Sequence, residues 1–134
     1  MTTRASGTFE TKTWDETSFP DSAGARKLSH AEMTEVFRGD VEGESIVHFL
    51  MTYLDDGRAS YVGLERVIGR IGDRSGSFAL QHEGVFAGDT AEARWRVVPD
   101  SATGDLRGLR GDGSYVWDRQ KGPEQRYILD YDFE

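Results

Sequence analysis

Gly76-Ser77-Phe78-Ala79-Leu80-Gln81-His82-Glu83-Gly84-Val85-Phe86, inside the longer stretch Ser75 to Val116, is the segment whose reading decides the fold. Side chains alternate along a strand, so Phe78, Leu80, His82 and Phe86 fall on one face. Gly88-Asp89 follows and suits a two-residue hairpin turn. Beyond it Ala91, Ala93, Trp95 and Val97 share a face opposite Glu92, Arg94 and Arg96. The glycine-punctuated run Thr103 to Gly113 then leads into another strand, Gly113 to Trp117.

The same alternation extends outward in both directions. No window keeps a helical period for the ~10 residues a typical helix needs. The first strand is read as Thr3 to Trp14, with Ala5, Gly7 and Phe9 on one face, followed by a loop over Glu16 to Arg26. Leu28 to Phe37 is the second strand. Its facing is ambiguous, because Met33 and Phe37 oppose Leu28 and Val36. Gly39-Asp40 turns the chain into Val41 to Tyr53, with Val41, Ser45, Val47, Phe49 and Met51 on one side. Asp55-Asp56-Gly57 is a hairpin signal, with Gly57 suited to a left-handed position. Arg58 to Ile71 is the fourth strand and Gln125 to Phe133 the eighth, its face holding Tyr127, Leu129, Tyr131 and Phe133. Eight mostly long strands in a meander favour a closed antiparallel up-and-down barrel over a sandwich, since closure removes both edges. Eight strands enclose a bore that side chains fill or that holds one small ligand.

The 134 residues form a single domain over 1–134, large enough for a core without staples. There is no cysteine, which excludes disulfides, thiolate metal sites and a cysteine nucleophile. There is also no asparagine, so amide-assisted chemistry would need one of three glutamines. The net charge of −8 repels phosphate backbones and anionic membrane, so neither nucleic acid nor a membrane is an expected partner. No apolar run reaches membrane-spanning length, and the start lacks a basic segment followed by an apolar one; the expected compartment is the cytoplasm.

Gly-Ser-Phe…His82-x-Gly84-x-Phe86 followed by Thr103-Gly104-x-Leu106-x-Gly108-x-x-Gly111-x-Gly113 resembles the allene oxide cyclase-like barrel group, which includes the dirigent proteins. The whole chain resembles a bacterial family of small barrels of unassigned function within that group. The start Thr2 to Glu10, the segment Gly63-Leu64-Glu65-Arg66 and the end Leu129 to Glu134 carry this closer likeness. The resemblance implies a barrel acting on reactive or hydrophobic small molecules, and a homo-oligomer. In the resembled cyclases a pocket glutamate works beside an asparagine, a residue type this chain does not contain.

In an antiparallel hairpin the numbers of paired residues have a constant sum. With Asp55-Asp56-Gly57 as the loop the sum is about 112, placing Glu65 opposite Val47. With Asp73-Arg74 as the next turn it is about 147, placing Glu65 opposite His82. With Gly88-Asp89 it is about 177, placing His82 opposite Trp95. These residues share a face with Phe49, Tyr61, Phe78 and Leu80, which predicts an inward layer of Val47, Glu65, His82 and Trp95. A carboxylate and an imidazole in an apolar bore are expensive unless paired. Glu65 and His82 are therefore the candidate acid–base pair. The alternative is that they merely satisfy each other within the core. Val47, Phe49, Tyr61, Phe78, Leu80, Trp95, Tyr127 and Tyr131 are the candidate ligand-contacting residues.

His30, Glu32 and His48 lack the spacing of a cupin-like metal site, so no metal or other cofactor is expected. Asp21-Ser22-Ala23, Asp89-Thr90-Ala91 and Asp100-Ser101-Ala102 have the residue types of an aspartic-protease loop, but they read as turns. Two functions follow. One is binding of a small, mostly apolar molecule in the bore, with isomerase- or cyclase-type chemistry at Glu65 and His82. The other is a filled barrel that works through its surface as an oligomer. An open bore favours the first reading and a packed one the second.

Overall fold

The computed structural model describes residues 2–20 and 23–134 and is a closed barrel of eight antiparallel strands in sequence order. The strands are β1 (Thr3–Ser18), β2 (Leu28–Gly39), β3 (Val41–Tyr53), β4 (Ala59–Ile71), β5 (Arg74–Ala87), β6 (Thr90–Val97), β7 (Leu109–Asp118) and β8 (Glu124–Phe133). β1 closes the barrel against β8, with Ala5 opposite Leu129 and Gly7 opposite Tyr127. A single turn of 3-10 helix, Gly104–Leu106, plugs the end formed by the β2–β3 and β4–β5 turns, with Leu106 fully buried. Among the described residues no helix is long and apolar enough to cross a membrane.

Alternation puts one residue in two on the inner face. On β2 the inward set is Ser29, Ala31, Met33, Glu35 and Phe37, which resolves the ambiguous facing and leaves Leu28 exposed. β1 runs four residues beyond the predicted end at Trp14 because of a bulge between Thr11 and Thr13. A bulge inserts one residue and reverses which parity faces inward. Phe9 pairs with Phe37 and Thr11 with Glu35 before it; Trp14 pairs with Met33 and Glu16 with Ala31 after it. β7 likewise begins at Leu109, before the predicted Gly113.

Val47 pairs with Glu65 and His82 with Trp95, as the hairpin sums predict. Glu65, however, lies opposite Leu80, and His82 lies opposite Gly63. The β4–β5 turn is Gly72-Asp73 rather than Asp73-Arg74, because Gly72 takes the left-handed conformation (φ 60°) that a tight hairpin needs there. The shift is two residues, so every side chain keeps its face.

Gly63 occupies an inward position where a side chain would have no room. A Cβ there would lie 2.3 Å from Phe49 Cδ1 and 2.4 Å from the His48 carbonyl oxygen. The absent side chain lets the Phe49 ring lean across β4 to meet Tyr61 and His82, at ring-centre distances of 4.8 and 5.2 Å. Gly63→Ala is expected to cost about 1–3 kcal/mol through overpacking. Urea unfolding measures it, and an unchanged midpoint would refute the steric account.

Candidate functional site

The bore is open at the end formed by the β1–β2, β3–β4, β5–β6 and β7–β8 connections. A cavity of about 490 Å³ runs inward from that mouth. The small inward residue Ala91 of β6 leaves part of this space, and larger rings line it. Phe9, Phe49, Tyr61, Trp95 and Tyr115 form the lower wall; Trp14, Tyr53, Phe86 and Trp117 stand nearer the mouth.

Six strands converge on one polar group at the floor. Glu65 (β4) is 0% exposed, His82 (β5) 2% and Glu35 (β2) 6%. His82 Nε2 lies 2.8 Å from Glu65 Oε1, and its Nδ1 lies 2.9 Å from the Tyr115 hydroxyl on β7. Tyr115 is in turn 3.1 Å from the Tyr61 hydroxyl. Ser45 Oγ donates to Glu65 Oε2 at 2.5 Å. Thr11 donates to Glu35 Oε2 at 3.1 Å, and the Glu35 carboxyl sits beside that of Glu65, whose charge and hydrogen bonding oppose its ionisation. Among the described residues no buried side-chain polar atom is left without a partner.

Burial dominates the electrostatics of this group. It pushes Glu35 well above the usual carboxyl range, and the Glu65 charge adds to the effect. It raises Glu65 to about 7, opposed by hydrogen bonds from Glu35 and Ser45. It lowers His82 to about 4, so the imidazole is neutral at physiological pH. Burial also raises Tyr115 well above its ordinary value, reinforced by Tyr61. Two carboxyls side by side cannot both ionise cheaply, so the pair retains a proton.

The directions of the hydrogen bonds then follow. With Glu65 ionised, Nε2–H of His82 donates to it, so Nδ1 must accept from Tyr115, whose oxygen must accept from Tyr61. When Glu65 takes up a proton the chain can reverse, ending with the Tyr61 O–H free to point into the cavity. The group is thus a four-member relay, Glu65–His82–Tyr115–Tyr61, with Glu35 beside it.

At the mouth, Glu16 accepts from Tyr53 Oη at 2.5 Å and Ser29 Oγ at 2.7 Å. Burial raises Glu16, but these bonds and the Lys27 charge outweigh it and leave the carboxyl below its ordinary value. Lys27 lies 4.5 Å over the Tyr53 ring. Arg119 lines the same rim, 3.8 Å from Asp89 and 5.9 Å from the centre of the Trp117 ring.

Of the residues singled out from the sequence, His82, Phe49, Tyr61 and Trp95 line the cavity. Glu65 stands behind His82 and Glu35, away from the lining. Val47, Phe78, Leu80 and Tyr127 are buried in the core beyond the cavity. Tyr127 is spent on backbone, near Arg38 and Val41, and burial pushes it up to about 12. Tyr131 is only partly buried and packs on Phe133, 6.0 Å between ring centres. Glu35, Tyr115, Thr11, Glu16 and Tyr53 are the polar residues the sequence reading did not select. An alternating count on β2 and β7 puts Glu35 and Tyr115 inward, once the facing of those strands is known.

His30 and His48 stack outside the barrel, Nε2 to Nδ1 at 2.8 Å, with His48 3.3 Å from Glu32. Among the described residues no cluster has the geometry to hold a metal ion. Asp89-Thr90-Ala91 spans the β5–β6 turn and Asp100-Ser101-Ala102 the loop after β6; Asp21 and Ser22 lie outside the described residues.

No curated protein matches the chain. Among solved structures, a DUF3224 family protein of unknown function from Shewanella oneidensis MR-1 matches with a TM-score of 0.80 and 28% identity. The match covers 100% of this chain and 99% of that one. The family model for the protein of unknown function DUF3224 matches residues 5–131. The chain therefore belongs to the DUF3224 family, a family of small barrels whose function is not assigned.

Proposed function

We propose that the protein binds a small, mostly apolar molecule in the bore, with Glu65 and His82 as its acid–base pair. The observation that carries this reading is the aromatic-walled cavity of about 490 Å³ whose floor gathers six buried polar side chains. Its size falls within the range of small-molecule pockets, and a few converging polar groups in an apolar wall are what fixes a ligand's orientation. Catalysis in this reading is proton exchange between ligand and Glu65 through His82, Tyr115 and Tyr61, supporting an isomerase- or cyclase-type step. A core pair that merely satisfied itself would not need the hydroxyl chain leading from it to open volume.

Native mass spectrometry of freshly purified protein tests the reading. A bound mass is expected that disappears on denaturation and is absent in Ala91→Phe, which fills the cavity. A bare chain, with no thermal shift against a panel of lipids and terpenoids, would overturn it. Self-association is a second proposal, favoured by the exposed Val62, Leu64 and Ile68 along β4 beside Leu50 of β3. The same spectrum reads it as a multiple of the chain mass.

A further inference from the structure

The cavity floor is one-sided in its hydrogen bonding, and this selects the chemistry of the occupant; the inference rests on the ligand-binding reading above. With Glu65 ionised, every side-chain proton at the floor is already committed. Tyr61 donates to Tyr115, Tyr115 to His82, and His82 to Glu65. Ser45 also donates to Glu65 and Thr11 to Glu35, and a proton on Glu35 is drawn to the Glu65 charge beside it. What remains unused toward the cavity is lone pairs, on the Tyr61 oxygen, Thr11 Oγ1 and Glu35 Oε2, three residues that line it.

From this geometry we infer that the occupant is an apolar, ring-sized molecule with a neutral alcohol or phenol hydroxyl at its inner end, donating to Tyr61, Thr11 or Glu35. An acceptor-only group such as a ketone or an ether would meet lone pairs facing lone pairs. A buried acceptor without a donor loses its bonds to water and gains nothing in exchange. A carboxylate at the inner end would in addition meet the Glu65 charge. An ammonium group would have to shed its hydration shell in a wall of rings, which a hydroxyl avoids. The rings supply the apolar contact: Phe49, Trp95 and Phe9 face the space above the three acceptors.

The test is a matched series bound to the full chain at pH 8, where Glu65 is ionised: 2-naphthol, 2-methoxynaphthalene and 2-acetylnaphthalene, read by tryptophan fluorescence or calorimetry. The skeleton is constant and only the inner-end group changes. 2-Naphthol is expected to bind at least about tenfold more tightly than either of the others. In Tyr61→Phe that preference is expected to shrink at least about threefold, with the affinity for 2-methoxynaphthalene held. Equal or tighter binding of the ether or the ketone would overturn the donor assignment while leaving the cavity as a ligand site. Absence of binding by all three would overturn the ligand-site reading itself, and the inference with it. If Tyr61→Phe does not fold, the series on the natural chain still decides.

Discussion

Glu65→Ala is expected to lower the unfolding free energy by about 3–5 kcal/mol, against roughly 1–2 kcal/mol for Glu65→Gln. The carboxylate is where the donors of the bore end. Ser45, His82 and Glu35 all direct hydrogen bonds to it, and it is fully buried. Alanine removes the acceptor and leaves those donors without partners in a dry site. It also leaves a void among packed side chains, which adds to the loss. Glutamine keeps the shape and one carbonyl oxygen, so His82 retains an acceptor, and its amide can donate to Ser45 or Glu35. Urea unfolding of the two variants measures the difference. Equal losses would mean that volume alone matters at this position and that the network contributes little. Glu35→Ala is the milder lesion, because Glu35 borders the cavity and space there admits water.

Stability should fall as the pH rises above neutrality, and Glu35→Gln should reduce the fall. Glu35 and Glu65 have folded-state values above those of an unfolded chain. Their contribution is complete below the unfolded carboxyl value, about 4.3, and is lost as pH rises through the folded values. For Glu65 that window reaches about 7, and Glu35, raised by burial and the Glu65 charge, acts in the same direction. His82 acts in the opposite sense. Its folded value is about 4, so its contribution is present above the unfolded value of about 6.5 and lost as pH falls toward 4. The two slopes oppose each other in mild acid. Above pH 6.5 the imidazole is neutral in both states, and the carboxyls alone set the trend. The slope approaches about 1.4 kcal/mol per pH unit for each proton retained, so stability declines between pH 6.5 and 8.5. Denaturant titrations at those two pH values, on the natural chain and on Glu35→Gln, read it directly. The same decline in both would leave Glu35 without a part in it.

The barrel was legible because alternation is a strong signal in strands with one buried face, and because three hairpins share one arithmetic. That arithmetic placed Val47 opposite Glu65 and His82 opposite Trp95. It misplaced one pair, because Gly72-Asp73 and Asp73-Arg74 are adjacent readings of one turn and only the backbone distinguishes them. Glu35 escaped notice because β2 carries apolar residues on both faces. A charged residue on an inward face is a meaningful signal only after its strand has been oriented. Tyr115 needed the register of β7, which follows a long connection containing a helical turn, where no hairpin sum applies. The bulge at Thr11–Thr13 had no side-chain signature, yet it alone turns Trp14 and Glu16 toward the mouth. The open volume was hidden for a related reason. It depends on which small residues, such as Ala91, stand opposite which rings, and that is a property of the closed ladder.

The wall of this barrel is not equally continuous along its height. β1 pairs with β8 only from Thr3 to Glu10, while beyond the bulge it pairs with β2 alone, through Ser18. β8 starts at Glu124, so near the mouth the last part of β1 has a hydrogen-bonded neighbour on one side only. Trp14 and Glu16 sit on this half-tethered segment, and Trp117 and Arg119 also line the same cavity. Lifting such a segment breaks one ladder instead of two, so it opens at lower free energy than the rest of the barrel. A molecule crossing that rim can displace a strand end without breaching the closed sheet below. For an occupant of the bore as proposed above, the residence time would be set by the upper half of β1 and the choice of occupant by the polar floor. On that proposal arrival and recognition fall to different parts of one wall, and substitutions near Trp14 are expected to act on rates where those near Glu35 act on affinity.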